Sequence, residues 1–174
     1  MVPLTFPRAD GGKQRLRLAA SAVVAVAIIA GCGASGGDDT QVVRGTGFTF
    51  EAPADWKLVR TPRAIGAQGD AVKLVQVTRL PLARAYSPKL FERVVPELDA
   101  AAQAVAAEVG AKVDRRTVEV LDERVRQYDL AFEGKVEQLT FVLRAKTNYQ
   151  LLCRREEDGD DGPCETLVRS FRIP

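Results

Sequence analysis

From residue 41 to residue 174 the apolar positions change their period along the chain. Phe48 and Phe50 alternate with Thr49 and Glu51, the period of a strand with one buried face. Pro53-Ala54-Asp55 follows as a turn, after which Trp56 and Leu58 are expected to return to the core. Residues 72–79 read as a second, mostly apolar strand, and Pro81 is expected to stop it because proline brings no amide to a sheet ladder. Ser87-Pro88 then opens a helix: Ser can cap the free amides, and Pro fits the first turn. Phe91, Val94, Val95, Leu98, Ala102, Val105 and Val109 recur at helical spacing and form one apolar stripe. Gly110 is a suitable stop, and Pro96 inside the stretch should kink the helix or begin a second one.

Period two returns after the helix. Val118 and Val120 alternate and Asp122-Glu123 turns the chain; Tyr128, Leu130 and Phe132 alternate up to a turn at Glu133-Gly134-Lys135. Leu139, Phe141 and Leu143 lead to a turn at Lys146-Thr147-Asn148, and Tyr149, Leu151 and Cys153 form the last strand. Residues 164–171 close the chain as a short amphipathic helix that docks Leu167, Val168 and Phe171. Strands, helix, strands, helix is an α+β order, and the long helix is expected to cover the apolar face of a curved antiparallel sheet of about five to seven strands.

Gly47-Phe48-Thr49-Phe50-Glu51-Ala52-Pro53-Ala54-Asp55-Trp56 resembles the opening of PsbP-like domains, in which a short strand runs into a Pro-containing turn and a Trp. Tyr149-Gln150-Leu151-Leu152-Cys153, followed by Leu167-Val168-Arg169-Ser170-Phe171, is similar to their closing strand and helix. The resemblance covers most of residues 41–174 in element order. It implies an α/β/α sandwich around an antiparallel sheet, packed by a long helix and a short C-terminal helix. It supplies no catalytic motif.

The N-terminal stretch has a different character. Arg8, Lys13, Arg15 and Arg17 face one acid, Asp10, and precede a run at residues 18–30 in which only Ser21 is polar. A basic stretch before a short apolar run is the pattern of a secretory signal, and the run is shorter than the roughly 20 residues a spanning helix needs. No Arg-Arg pair precedes it, so general secretion is expected rather than the twin-arginine route. Ile29-Ala30-Gly31-Cys32 resembles the bacterial lipobox. That resemblance implies cleavage after Gly31 and a diacylglycerol on the thiol of Cys32, a stable anchor because two chains hold where one does not. Residues 32–40 read as a flexible tether of small and polar residues and residues 41–174 as one domain. The expected location is the extracytoplasmic face of the cell membrane, attached through lipid on Cys32.

Charge adds little once the signal is set aside. Residues 1–31 hold four of the 25 basic residues and one of the 23 acids, which leaves the remainder close to neutral. Nucleic-acid binding, which needs a concentrated basic face, is not expected. The chain has no His, which removes Ser–His and Cys–His activation and most zinc sites. Beyond the tether its serines are Ser87, explained as a cap, and Ser170. Gly45-Thr46-Gly47 resembles the start of a phosphate loop but lacks the third Gly, the Lys and the helix start. Glu156-Glu157-Asp158-Gly159-Asp160-Asp161-Gly162 crowds carboxylates that hard cations favour. As an EF-hand loop starting at Asp158 it places Gly162, Pro163 and Arg169 at the fifth, sixth and twelfth positions, so a solvated acidic tip is expected. Trp56 is expected to anchor the core.

No catalytic residue, cofactor or metal site is therefore expected, and the domain reads as a monomeric, non-enzymatic envelope module that binds a protein partner or assists assembly. A carrier holding a small apolar or lipid ligand between helix and sheet is the alternative, because Ala100, Ala101, Ala102, Ala104, Ala106 and Ala107 could leave room there. A hydrolase built on two carboxylates is a third. With Cys32 consumed by lipid, Cys153 and Cys164 remain in an oxidising compartment, where a disulfide is expected rather than two free thiols.

Overall fold

The computed structural model describes residues 39–174; the expected export signal, Cys32 and the tether up to residue 38 lie outside the described residues. β1 (Thr40–Gly45) begins at the last residue read as tether and pairs with β2 (Phe48–Pro53) as a hairpin. β3 (Lys57–Arg60), β4 (Ala64–Gln68) and β5 (Leu74–Tyr86) follow. A 3-10 turn at Pro88–Leu90 leads into α1 (Phe91–Val109). β6 (Lys112–Val120), β7 (Glu123–Phe132) and β8 (Lys135–Glu156) precede α2 (Gly162–Ser170). The main sheet is antiparallel throughout, in the order β3-β4-β5-β8-β7-β6.

β8 contains 22 residues, which fully extended would run roughly 70 Å. Instead its two ends meet. Glu157 N–H donates to the Gly134 carbonyl at 2.9 Å, and Arg154 Nε donates to Glu137 Oε1 at 2.7 Å. The reversal falls at Ala145, whose φ is 48°, within the exposed run Arg144, Ala145, Lys146. β8 is thus a bent-back ribbon. Its first arm (135–144) pairs with β7 from Phe132↔Lys135 to Arg126↔Phe141. Its second arm (147–156) pairs with β5 from Pro81↔Thr147 to Leu74↔Arg154. The expected turn at residues 146–148 therefore exists, displaced slightly toward the N-terminus.

Alternation sends successive side chains to opposite faces. Val75, Val77, Tyr149, Leu151 and Cys153 point to one face and meet Phe48 and Phe50 of the β1–β2 hairpin and Leu167 and Phe171 of the α2 segment in a single core cluster. Phe48, Tyr149 and Phe171 form an aromatic trio with centroids 5.6–6.1 Å apart. On the other face α1 lies against β6 and β7. The long helix thus covers one face of the sheet, as expected, but none of the residues of the core cluster on the opposite face comes from α1. Phe and Leu from the hairpin and α2 bury far more apolar area than the alanines of α1 can. The result is a helix–sheet–helix arrangement of α+β class, as expected.

Local expectations fared unevenly. Gly110 ends α1 in the left-handed region (φ 68°), and the β7–β8 turn falls at Glu133 and Gly134, both with positive φ. The stripe on α1 is corrected: Phe91, Leu98, Ala102 and Ala106 are buried, whereas Val109 is 47% exposed. Pro96 sits inside one helix rather than beginning a second. Ser87 is extended and makes no side-chain capping bond. Leu58 is 49% exposed on edge strand β3 instead of returning to the core. Pro81 does not stop β5, which continues to Tyr86; the ladder slips between Pro81 and Tyr86, an irregularity that tolerates a residue without an amide.

Candidate functional site

Three chain reversals and the middle of one strand meet at the same corner of the fold. The β1–β2 turn, the β3–β4 loop, the middle of β5 and the tip of β8 surround an open cleft of about 510 Å³. The loop wall is tied down by its backbone. Thr61 N–H donates to the Ala64 carbonyl at 2.8 Å, Thr61 Oγ1 accepts from Ala64 N–H at 3.0 Å, and Arg79 N–H donates to the Arg63 carbonyl at 3.1 Å. The tip wall is held by the Pro81↔Thr147 pairing. Phe48 and Ile65, both buried, form the floor. Arg60, Arg63, Arg79 and Lys146 rim the cleft, all exposed, and no carboxylate lines it. The ion pairs found among the described residues involve other cations.

A second, larger groove of about 1120 Å³ runs along the sheet beside α2. Here both signs of charge are present, and Arg116 and Asp129 are paired across it. Arg116 Nε donates to Gln127 Oε1 at 2.5 Å and pairs with Asp129 at 3.0 Å, and Gln127 Nε2 donates to Thr140 Oγ1 at 2.7 Å. Gln127 and Thr140 are buried. This network satisfies polar groups that the sheet would otherwise strand.

The helix face holds a third cluster. Asp99 of α1 accepts from Arg126 Nε and Nη2 and from the Tyr128 hydroxyl at 2.7 Å. The Arg126 guanidinium holds the Asp99 carboxyl below its usual range, and the same bond raises Arg126. Burial, and then the bond to Asp99, push the Tyr128 phenol up. All three groups stay in their ordinary charge states at neutral pH, so the cluster fastens α1 to β7 and does not poise a proton.

Of the residues singled out from sequence, Cys153 and Cys164 are buried and form a disulfide, with Cα atoms 5.3 Å apart. It joins the second arm of β8 to the first turn of α2. Ser170 Oγ accepts from Glu51 N–H at 2.8 Å and donates to the Thr166 carbonyl at 2.6 Å, a structural role. Glu156, Glu157, Asp158, Asp160 and Asp161 are exposed along the β8–α2 turn, where Asp160 accepts from Gly162 N–H. Trp56 is half-buried and packs against the edge of the core. A cavity of about 10 Å³ lies between the first half of α1 and the sheet, lined by Phe91, Leu98 and Phe141 among others. The four cations of the cleft were not singled out from sequence. They lie between positions 60 and 146 without common spacing, and only the placement of the turns brings them together.

No family model matches this sequence, and no curated protein matches it. Solved structures do resemble it. The solution structure of cyanobacterial PsbP (CyanoP) from Synechocystis sp. PCC 6803 aligns with a TM-score of 0.57 at 12% identity, over 84% of this chain and 99% of that one. A crystal structure from Bacteroides thetaiotaomicron VPI-5482 aligns with a TM-score of 0.54 at 11% identity, over 78% of this chain and 48% of that one. This chain thus spans about half the length of that relative. The fold is a PsbP-like α+β sandwich.

Proposed function

We propose that the protein is a lipid-anchored, extracytoplasmic binding module without catalytic activity, held to the membrane through Cys32. The observation that carries the binding reading is the pair of open clefts on a PsbP-like scaffold. The apolar-ligand carrier has less support, because the cavity beside Phe91 and Leu98 of α1, at about 10 Å³, has room for about one water at most. The disulfide fits an exported domain. Among the described residues no helix is long and apolar enough to cross a membrane.

The anchor is tested by metabolic labelling with a fatty acid in a bacterial host. The wild-type chain is expected to take up label, and Cys32→Ala is expected to take up none and to remain uncleaved after Gly31. Normal processing of Cys32→Ala with no label in the wild type would overturn the anchor. Native mass spectrometry of the purified protein separates binding module from carrier, since a stoichiometric co-purified lipid beyond the one on Cys32 would favour the carrier.

A further inference from the structure

Like charges gather at one place only at a cost, unless something of opposite sign joins them. Arg60, Arg63, Arg79 and Lys146 gather at one cleft with no carboxylate among its lining residues. The arrangement is not an accident of one basic stretch, since each cation comes from a different place: the end of β3, the β3–β4 loop, the body of β5 and the tip of β8. Five arginines elsewhere on the described domain pair with acids, Arg115 and Arg126 at Asp99, Arg116 at Asp129, Arg124 at Glu92, and Arg154 at Glu137, while others such as Arg93 and Arg144 stand exposed but apart from such a cluster.

The surroundings favour an anion further. Phe48 and Ile65 make the floor apolar and buried, and a low-dielectric wall focuses the field of nearby charges into the cleft. Backbone hydrogen bonds tie the walls together. Arg79 N–H on the Arg63 carbonyl fixes two cation-bearing backbones side by side, and the Thr61 turn fixes the loop that carries Arg63. Arginine guanidinium groups offer planar pairs of N–H donors suited to phosphate oxygens, and Lys146 adds a point charge.

We propose that this cleft is a binding site for a phosphate-bearing anion, presented either by a soluble phosphoryl compound or by a lipid headgroup. The proposal rests on reading the domain as a binding module and names the ligand chemistry of one of its clefts. It does not depend on the anchor at Cys32. Three guanidinium groups and one ammonium match an anion of two or more negative charges better than a single carboxylate.

The test uses the full chain in neutral detergent micelles, with inorganic pyrophosphate as the soluble probe in calorimetric titrations. A second arm replaces part of the detergent with short-chain phosphatidic acid, or with phosphatidylcholine as the control, and follows amide shifts of Arg60, Thr61, Arg63, Ala64 and residues 145–147 by NMR. Pyrophosphate binding that weakens about tenfold or more in Arg60→Ala/Arg79→Ala supports a site open to soluble phosphoryl compounds. Shifts with phosphatidic acid alone, lost in the same variant, support a headgroup site. Arg93→Ala, an exposed cation on α1, controls for net charge and is expected to change neither arm. The four cations are exposed, so the double variant is expected to keep the wild-type melting temperature. Absence of binding in both arms, or binding that Arg60→Ala/Arg79→Ala leaves intact, would overturn the site. Neither result would touch fatty-acid labelling at Cys32, so the two readings fail separately.

Discussion

Arg126 holds Asp99 with two donors, Nε to Oδ1 at 2.9 Å and Nη2 to Oδ2 at 3.1 Å, and so locks the middle of α1 to β7. Both side chains are largely shielded, at 15% and 19% exposure. This matters more than it would in most helix–sheet contacts, because the Ala-rich face of α1 buries few large side chains. A polar clamp takes over part of the task usually left to Leu and Phe.

Asp99→Asn should therefore lower unfolding free energy by about 1–3 kcal/mol at pH 7, because it leaves the Arg126 guanidinium facing a neutral amide. The pH dependence has a definite sign. Asp99 has a folded-state pKa below its ordinary value of 3.8, so the stability it contributes is complete above the unfolded value and is lost as pH falls through the folded one. Urea melts of wild type and Asp99→Asn should differ at neutral pH and converge in strong acid. A gap that stays constant down to the acid limit would refute the clamp.

Reduction of Cys153–Cys164, or replacement of both by Ser, should cost about 3 kcal/mol on the chain-entropy estimate for a bridge separated by 11 residues. Denaturant midpoints with and without reductant measure it. Because neither sulfur is a free thiol in the bridge, alkylation of the oxidised protein should add no mass at Cys153 or Cys164.

Gly66 lies where β4 approaches β5 so closely that a Cβ would press on the Val75 carbonyl oxygen. That obstacle is backbone and cannot swing aside. Gly66→Ala should destabilise by about 1–3 kcal/mol through displacement of the strand pair. A thermal melt of Gly66→Ala that matches the wild type would show that β4 gives way freely.

Thr140→Val should leave buried Gln127 Nε2 without its acceptor and cost about 1–2 kcal/mol. Adding Gln127→Leu should recover part of that loss. The remaining partner, Arg116, is 52% exposed and can turn to water. A double-mutant cycle with no coupling between Gln127 and Thr140 would count against the network.

Much of the fold was legible in short patterns, and the misses share a cause. β4 is Ala-Ile-Gly-Ala-Gln, too poor in large apolar residues to announce a strand, yet it pairs on both edges and sits between β3 and β5. Pro81 marks a break in a strand considered alone. Within the sheet the partner Thr147 and the slip beyond it carry β5 onward. Leu58 looks like a core residue but falls on an edge, where its face has no cover. The pairing of Cys153 with Cys164 was readable because the chain between them is short and turns back. The cationic cleft was not, because its members meet only through contacts distant in sequence.

The sequence by itself determined those features that depend on neighbours along the chain. These are the reversal at Glu133-Gly134, the left-handed stop at Gly110, the alternation of Tyr128, Leu130 and Phe132, and the closeness of the two cysteines. Backbone conformation and local loop closure set these, and they need no distant partner. Only the tertiary structure decided which helix covers the core, that Asp99 finds Arg126, and that Arg60, Arg63, Arg79 and Lys146 share one cleft. Each depends on strand order and on which face has more apolar area to bury, and neither is encoded at any single position.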